Sequence, residues 1–171
     1  DLRAWFLSMQ YWLGGSDDNI ESLVRFLISR YSSRAEWRGV KAAEPIEYPE
    51  TGLYHPDLPD HHIAANIADL PRKGTGPTIG VLMLRSYILA GDTAHYDHVI
   101  RSFEARGMNV IPAFAGGLDG RPAIDAYYLG TIDALVSLTG FSLVGGPAYN
   151  DSNSAVDALS VLDVPYVAAQ P

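Results

Sequence analysis

The 171-residue sequence contains no cysteine. This absence excludes disulfide bonds, thiolate catalysis, iron–sulfur clusters and cysteine-ligated zinc sites, and it is compatible with a reducing compartment. No apolar run approaches the roughly 18 residues that a membrane-spanning helix needs, and no signal peptide is visible. Hydrophobic residues make up 47% of the chain and charged residues 19%. This balance indicates a globular chain, long enough for one α/β domain and an appendage.

Basic patches and nucleotide-binding motifs are also missing. The net charge is −8 and no basic stripe offsets it, which argues against a nucleic-acid partner. No G-x-x-x-x-G-K-[ST] motif occurs, so a P-loop is excluded, and no G-x-G-x-x-G follows the first predicted strand of the sheet. The chain has no nucleophile elbow and no evident acid–base pair. The sequence therefore assigns no catalytic residue.

Apolar residues at helical spacing predict a helical hairpin over residues 1–31. The first helix stops at Gly14-Gly15, and Asp18 with Glu21 forms a capping pattern for a second helix that ends near Tyr31. We expect the apolar stripes of both helices to be core. The alternative is a cofactor-binding box of aromatic side chains, namely Trp5, Phe6, Tyr11 and Trp12.

Residues 32–77 are predicted to be a connector, because six prolines disfavour long regular elements. A short helix is predicted for 63–70. The connector also holds five side chains that can ligate metals: His55, Asp57, Asp60, His61 and His62. Their spacing matches no defined ligand pattern. We therefore expect a solvated acidic loop and no metal site.

From residue 78 onward the pattern alternates strand and helix. Strands are predicted at 78–84, 108–115, 132–138 and 164–169, with helices between them. Right-handed crossovers then predict an α/β fold for 78–171: a flavodoxin-like, doubly wound parallel sheet with strand order 2-1-3-4. Pro112 suggests an edge position for the second strand. The first residue is Asp1 and the sequence ends in V-A-A-Q-P. We therefore expect a fragment of a longer protein, with this domain truncated at its C-terminal end.

A candidate binding site follows from this topology. In an open α/β sheet, ligands bind beyond the carboxyl ends of the strands, where crossovers leave on opposite faces. The residues predicted there are Arg85, Ser86, His95, Thr139, Gly140, Gly145 and Gly146. Plainer alternatives remain for each group. The glycines fit a tight turn, His95 with His98 fits a polar helix surface, and Arg85 fits an internal ion pair with Asp119 or Asp151.

Four longer segments and one short one carry a family resemblance. They are Y-W-L-G-G-S-D-D-N-I-E-S (11–22), L-R-S-Y-I-L-A-G-D-T-A-H-Y (84–96), E-A-R-G-M-N-V-I-P-A-F-A-G-G-L-D (104–119), D-A-L-V-S-L-T-G-F-S-L-V-G-G-P-A (133–148) and L-D-V-P-Y (162–166). They resemble the large H subunits of magnesium chelatase, in their bacteriochlorophyll-branch form. The large subunits of aerobic cobaltochelatase share much of this pattern, which keeps cobalamin synthesis as the alternative.

The resemblance implies a domain of a much longer cytoplasmic protein, from its N-terminal region. That protein binds protoporphyrin IX and carries the site where Mg²⁺ is inserted. Its partners, the I and D subunits, hydrolyse ATP to drive the insertion. The product enters bacteriochlorophyll synthesis for photosynthesis. Its metal-handling motifs are absent from these residues, so no catalytic or metal-binding residue is carried over and no cofactor is expected in the fragment. Arg85 would then pair with a carboxylate, either a porphyrin propionate or an acidic side chain. Two other hypotheses are a free-standing small-molecule binding module and a flavin oxidoreductase. The 85–91 loop, however, lacks the hydroxyl run that would hold a flavin phosphate.

Overall fold

A computed structural model describes residues 1–59, 62–146 and 148–169 of the chain. Its contacts divide the chain into two units. The first contains residues 1–49 and 89–91, and the second contains residues 50–88 and 92–171. Within the described residues, no helix combines the length and apolar character needed to cross a membrane.

The first unit contains both predicted helices. Helix α1 spans Leu2–Gly14 and is capped by Asp1, whose carboxylate accepts hydrogen bonds from the backbone N–H groups of Arg3 and Ala4. It ends at Gly15, which has a left-handed φ of 65°. Helix α2 spans Asp17–Tyr31 and begins after Ser16, whose hydroxyl accepts from the Asn19 N–H. Side-chain caps and a glycine turn therefore define the hairpin.

The segment after α2 is attached to the hairpin by polar side chains. It contains one short 3₁₀ helix, Ala35–Trp37. The Asn19 amide donates to the Ile46 carbonyl at 2.9 Å and accepts from the Ile46 N–H at 2.8 Å. The Tyr11 hydroxyl donates to the Ala43 carbonyl. Asn19 and Tyr11 are both buried, so these bonds fix the segment on the hairpin.

The expectation that the apolar stripes are core is wrong for much of the hairpin. Trp5 and Phe6 are each 56% exposed, Trp12 is 63% exposed and Leu27 is 41% exposed. The buried residues of the two helices are Ala4, Tyr11, Asn19 and Ser22. Helical periodicity shows that a face is apolar, but it does not show what covers that face.

The second unit is built on a mixed, mainly parallel sheet. Its strands are β1 (Thr51–Tyr54), β2 (Ile63–Ala64), β3 (Thr78–Leu84), β4 (Asn109–Ala115), β5 (Ala134–Ser137) and β8 (Tyr166–Ala168). They lie in the order β2-β1-β4-β3-β5-β8. Neighbours among β4, β3, β5 and β8 are parallel, while β1 pairs antiparallel with β4 and with β2. A second sheet joins β6 (Gly145–Gly146) to β7 (Tyr149–Asn150). The prediction of an α/β architecture with parallel strands is confirmed.

Two local predictions are wrong. Residues 63–70 form β2 and a 3₁₀ helix, Ile67–Asp69, instead of one helix. Pro112 is not on an edge strand, because β1 covers the outer side of β4. The pairing of β1 with β4 runs from Thr51 opposite Ala115 to Leu53 opposite Ala113. It ends before Pro112, so the missing N–H of that proline breaks no bond of this ladder.

Helices cover both faces of the sheet. Helix α3 (Arg85–Leu89) follows β3 and leads to α4 (Ala94–Glu104), which packs Tyr96 and Ile100 on one face. Helix α5 (Arg121–Ala123), which continues as a π-helical turn through Tyr128, and helix α6 (Ser152–Leu162) pack on the other face. This double cover explains the near-continuous apolar sequence of β3.

Tyr128 inserts its hydroxyl into the sheet. The hydroxyl donates to the Val81 carbonyl at 2.8 Å and accepts from the Ala113 N–H at 3.2 Å. It therefore bridges β3 and β4 at a point where a direct backbone bond would otherwise form. A Cβ atom on Gly80 would lie 3.2 Å from the Tyr128 ring and 2.8 Å from Ile132. Glycine at position 80 makes room for this insertion.

Candidate functional site

The loops that follow β4 and β5 are joined at the carboxyl edge of the sheet. The Gly120 N–H donates to the Leu143 carbonyl at 2.9 Å, and the Gly145 N–H donates to the Leu118 carbonyl at 2.8 Å. An isolated bridge pairs Asp119 with Val144. The predicted crevice is therefore partly closed by loop–loop contacts.

Gly145 and Gly146 lie within this closed region. They pair with Asn150 and Tyr149 in the small β6–β7 sheet, and Gly145 has a left-handed φ of 92°. A Cβ atom on Gly145 would collide with the backbone of Tyr149, and one on Gly146 would collide with Leu118. Close packing of the protein itself thus accounts for both glycines, as in the tight-turn alternative.

Gly140 borders an open cleft, and Thr139 precedes it in the chain. The Thr139 hydroxyl lies 3.1 Å from the Ser137 hydroxyl and donates to the Phe141 carbonyl at 3.3 Å. Gly140 has a φ of 75°. The cleft has a volume of about 250 Å³ and is lined by Ser137, Gly140, Phe141, Ala168 and Ala169. Its walls present one hydroxyl, small side chains and one aromatic ring.

Arg85 begins α3, directly after β3. Its guanidinium lies 3.9 Å from the Glu50 carboxylate, and its side chain is only 16% exposed. The partners expected for an internal ion pair are both engaged elsewhere: Asp119 binds Arg121, and Asp151 caps α6. The carboxylate that lies beside Arg85 is therefore Glu50, whereas the sequence alternative named Asp119 or Asp151. Ser86, the next residue, is exposed.

His95 is in the first turn of α4, among aromatic rings. Its imidazole centroid is 3.9 Å from that of Tyr96 and 5.3 Å from that of Tyr87, which it meets edge-on. The Nε2 atom is buried and makes no hydrogen bond within the described part of the chain. His98 is exposed, with its Nδ1 atom 2.6 Å from the Ala94 carbonyl oxygen. The polar-surface alternative thus fits His98 and does not fit His95.

A second cleft lies at the opposite edge of the sheet, where β3 and β4 begin. Its volume is about 280 Å³, and its lining includes Ile67, Leu70, Ile111 and Arg72. Other polar groups of its lining already bind the protein. The side-chain amide oxygen of Asn109 accepts from the Gly74 N–H, and the Thr131 hydroxyl donates to the Tyr127 carbonyl. The cleft is therefore largely apolar, with one arginine at its rim.

An ionic cluster near the end of α4 contains residues that sequence reasoning missed. His55 is 1% exposed, and its Nε2 atom lies 2.9 Å from Glu104, whose side chain is 7% exposed. The Nδ1 atom accepts the Asp57 N–H at 3.1 Å. Nε2 must therefore carry the proton and donate it to the Glu104 carboxylate. The expectation of a solvated loop is wrong for His55; Asp60 and His61 lie outside the described residues.

Arg101 completes this cluster. It donates to Glu104 at 3.1 Å and also binds Asp57, which a second cation, Lys73, contacts as well. Hydrogen bonds from Arg101 and Lys73 hold the pKa of Asp57 well below its usual range. Burial lowers the pKa of His55, and the hydrogen bond to Glu104 opposes that shift. Across the ranges that the structure describes, no group of three or more His, Asp or Glu side chains could hold a metal ion.

The sequence carries little signal for this cluster. Arg101 and Glu104 are neighbours on a helix surface at i, i+3 spacing, which is common on solvated helices. Nothing in the local pattern connects them to His55, which is 49 residues from Glu104 in the sequence. The contact depends on β1 pairing with β4. The proline-rich sequence of residues 32–77 does not predict β1.

The sequence model of the CobN/Magnesium Chelatase family matches residues 9–171. The chain belongs to this family. Among curated members it is 69% identical to the magnesium-chelatase H subunit of Cereibacter sphaeroides and 67% identical to that of Rhodobacter capsulatus, in both cases over the whole chain. It is 37% identical to the chloroplastic ChlH protein of rice magnesium chelatase.

A solved cobaltochelatase subunit shares the fold of this chain. The catalytic subunit of cobaltochelatase from Mycobacterium tuberculosis superposes with a TM-score of 0.63 and 27% sequence identity, covering 98% of this chain and 13% of that chain. The present chain spans 15% of the Cereibacter protein and 14% of the Rhodobacter protein. It therefore corresponds to about one-seventh of these relatives.

Proposed function

We propose that this chain is a domain of the porphyrin-binding large subunit of a magnesium chelatase. In this proposal the whole large subunit inserts Mg²⁺ into protoporphyrin IX in the cytoplasm, as a step of bacteriochlorophyll synthesis. Its partners, the I and D subunits, hydrolyse ATP to drive the insertion. Mg²⁺ and the porphyrin are substrates of the complex, and ATP is its energy source.

One observation carries the proposal: 69% and 67% identity, over the full chain, to two proteins named as H subunits of magnesium chelatase. The cobaltochelatase protein shows only 27% identity over a similar coverage. The difference favours magnesium over cobalt as the metal that the whole protein inserts.

The role proposed for this domain is structural, in docking or in porphyrin entry. The parallel strands lie in the order β4-β3-β5-β8 with helices on both faces, and we propose a flavodoxin-like, doubly wound fold on this basis. A cleft of about 250 Å³ at its carboxyl edge is below the roughly 300–1,000 Å³ of sites that enclose a ligand. A porphyrin would therefore contact this edge with its periphery only.

Within that edge, Arg85 is the proposed contact for a propionate. An arginine fork matches a carboxylate, and a propionate would compete with Glu50, whose carboxylate lies 3.9 Å from the guanidinium. Ser86, His95, Thr139 and Gly140 remain proposed contributors to this surface. Gly145 and Gly146 would act indirectly, by holding the 139–146 loop in place.

Segment exchange tests the function. The corresponding segment of the Cereibacter sphaeroides protein is replaced by these 171 residues, and Mg²⁺ and Co²⁺ insertion are assayed with the partner subunits. We expect magnesium insertion close to that of the unmodified protein. The matched control carries the corresponding segment of the Mycobacterium cobaltochelatase and should lose most of this activity. Loss of magnesium insertion in a folded hybrid that carries the present segment would contradict the proposal.

Titration of a carboxylated porphyrin tests the contact. Arg85→Ala should weaken binding to the chain, while Arg106→Ala, which removes the same charge from an exposed position on another loop, should not. Equal binding by both variants, or no binding by the unmodified chain, would leave Arg85 with the structural role of pairing with Glu50.

A further inference from the structure

The amino-edge cleft, where β3 and β4 begin, lies apart from the residues of the proposed function. Its volume is about 280 Å³, just below the roughly 300 Å³ at which sites for drug-sized ligands begin. Its lining includes Ile67, Leu70 and Ile111. Leu70 and Ile111 are buried in a core cluster, and Ile67 packs against the same cluster. A concave site of this size and character fits a small molecule with an apolar body.

Arg72 adds a positive charge to this lining. The residue is exposed, and within the part of the chain that the structure describes no carboxylate pairs with it. The next residue, Lys73, is instead bound to Asp57. None of the described lining residues is acidic. One of two neighbouring cations is therefore paired within the protein, while the other lies at the cleft with its charge available.

The segment that carries Arg72 is fixed on both sides. Before it, the Leu70 N–H donates to the Ile67 carbonyl at 3.1 Å and closes a 3₁₀ turn. After it, the Gly74 N–H donates to the side-chain amide oxygen of Asn109 at 3.3 Å. These bonds hold the connector side of the cleft against the first residue of β4. A site whose walls are already held in place loses less conformational entropy when a ligand binds.

We propose that the amino-edge cleft binds a small apolar monocarboxylate, with its apolar body against Leu70 and Ile111 and its carboxylate on Arg72. The planar guanidinium fork matches a carboxylate. A single cation balances a single negative charge, and the net charge of −8 on the chain disfavours anions of higher charge, such as polyphosphates. The cleft is at the opposite edge of the sheet from Arg85, so this proposal goes beyond the proposed function and does not rest on it.

Two probes with the same apolar body test the charge requirement. They are 3-phenylpropionate and its uncharged amide, 3-phenylpropionamide. Each is titrated against the 171-residue chain and against a full-length large subunit whose corresponding segment carries this sequence. The acid should shift the NMR signals of the Ile67 and Ile111 methyl groups in both proteins, with a dissociation constant of about 1 mM or tighter. The amide should bind at least about tenfold more weakly, because it forms no charge-assisted bond with Arg72.

Variants separate the contribution of the charge from that of the apolar wall. Arg72→Ala should lower the affinity for the acid to that for the amide, and Arg72→Lys should give an intermediate affinity because it keeps the charge without the fork. Arg38→Ala is the matched control, since it removes the same charge from an exposed position in the first unit, and it should change neither affinity. Ile67→Ala should weaken both probes alike, by about threefold or more.

The contrary outcomes are equally defined. Equal binding of the acid and the amide, or acid binding that Arg72→Ala leaves unchanged, overturns the proposal. The absence of methyl shifts at millimolar acid overturns it as well. Binding by the 171-residue chain but not by the full-length protein assigns the cleft to a contact with the rest of the large subunit, and this also overturns the ligand site. Magnesium insertion by the same full-length protein is assayed separately, and its loss would contradict the proposed function alone.

Discussion

The imidazole of His55 and the carboxylate of Glu104 are 2.9 Å apart, in a contact that spans 49 residues of sequence. It ties the end of β1 to the last turn of α4. Both side chains are almost fully shielded from water. Because a buried carboxylate without a partner is costly, the contact with His55 and Arg101 is needed wherever Glu104 is ionised.

This contact predicts a pH dependence of stability. Burial lowers the pKa of His55 from its usual 6.5, so below about pH 6.5 the unfolded chain takes up a proton more readily than the folded chain. The stability contributed by neutral His55 is therefore full above about pH 6.5 and declines as the pH falls toward the lowered value. Urea unfolding between about pH 7.5 and pH 5 should show this decline, and His55→Gln should reduce it. An unchanged slope in the variant would refute this assignment.

The bridge made by Tyr128 predicts a large effect of removing one oxygen atom. Tyr128→Phe leaves the Ala113 N–H and the Val81 carbonyl unpaired inside the sheet. Buried unsatisfied groups typically cost about 1–3 kcal/mol each, so we expect a loss of at least about 2 kcal/mol in the free energy of unfolding. Tyr149→Phe is the control, because Tyr149 is 71% exposed, and it should change stability by less than about 0.5 kcal/mol. Similar small losses in both variants would refute the bridge.

The glycine at position 145 predicts a packing effect beyond backbone strain. Gly145 and Gly117 have left-handed φ values of 92° and 71°, but a Cβ atom on Gly117 would meet nothing within 4 Å. Gly117→Ala should therefore report strain alone, about 1 kcal/mol. Gly145→Ala also forces the Tyr149 backbone to move and should cost at least about 1 kcal/mol more in thermal unfolding. Equal costs would mean that the β6–β7 sheet yields without resistance.

The exposed face of the hairpin predicts that truncating a side chain there costs little stability, whereas the same truncation at a core position would cost much more. Leu27→Ala should cost less than about 1 kcal/mol in the isolated chain, compared with about 2–5 kcal/mol for a buried leucine. Tyr11, at 2% exposure, is the contrasting position, and Tyr11→Ala should cost about 3–5 kcal/mol. Chemical denaturation measures both. A loss above about 2 kcal/mol for Leu27→Ala would show that this face is covered.

These positions show what the sequence could predict. Tyr96 and Ile100 recur at helical spacing on α4, and both are buried, because the apolar face of this helix packs on the sheet. The strand β3 was located by its apolar run for a similar reason. Local pattern therefore sufficed where an element buries one of its own faces.

Other features depended on contacts that are distant in the sequence. Strand β1 has four residues and pairs with β4 across more than fifty residues, so no local pattern marks it. The exposure of Trp5 and Trp12 depends on what lies opposite their helix. The interpretation of the candidate site also depends on contacts that the local sequence does not show. Glycines at 145 and 146 fit either a ligand or close packing of the protein itself, and only the positions of Tyr149 and Leu118 show which one is adjacent to them.

The antiparallel pairing of β1 with β4 also sets a timetable for synthesis. Tyr54 leaves the ribosome about 55 residues before Asn109, the first residue of β4, which is roughly 3–11 s at translation rates of about 5–20 residues per second. Until β4 is made, β1 can pair only with the two-residue strand β2, and His55 lacks its partner until Glu104 at the end of α4 is made. The oldest strand of the sheet in the order of translation is thus paired on its β4 side only after β3 and α4 have been made, and until then that edge of the nascent chain is open to other strands.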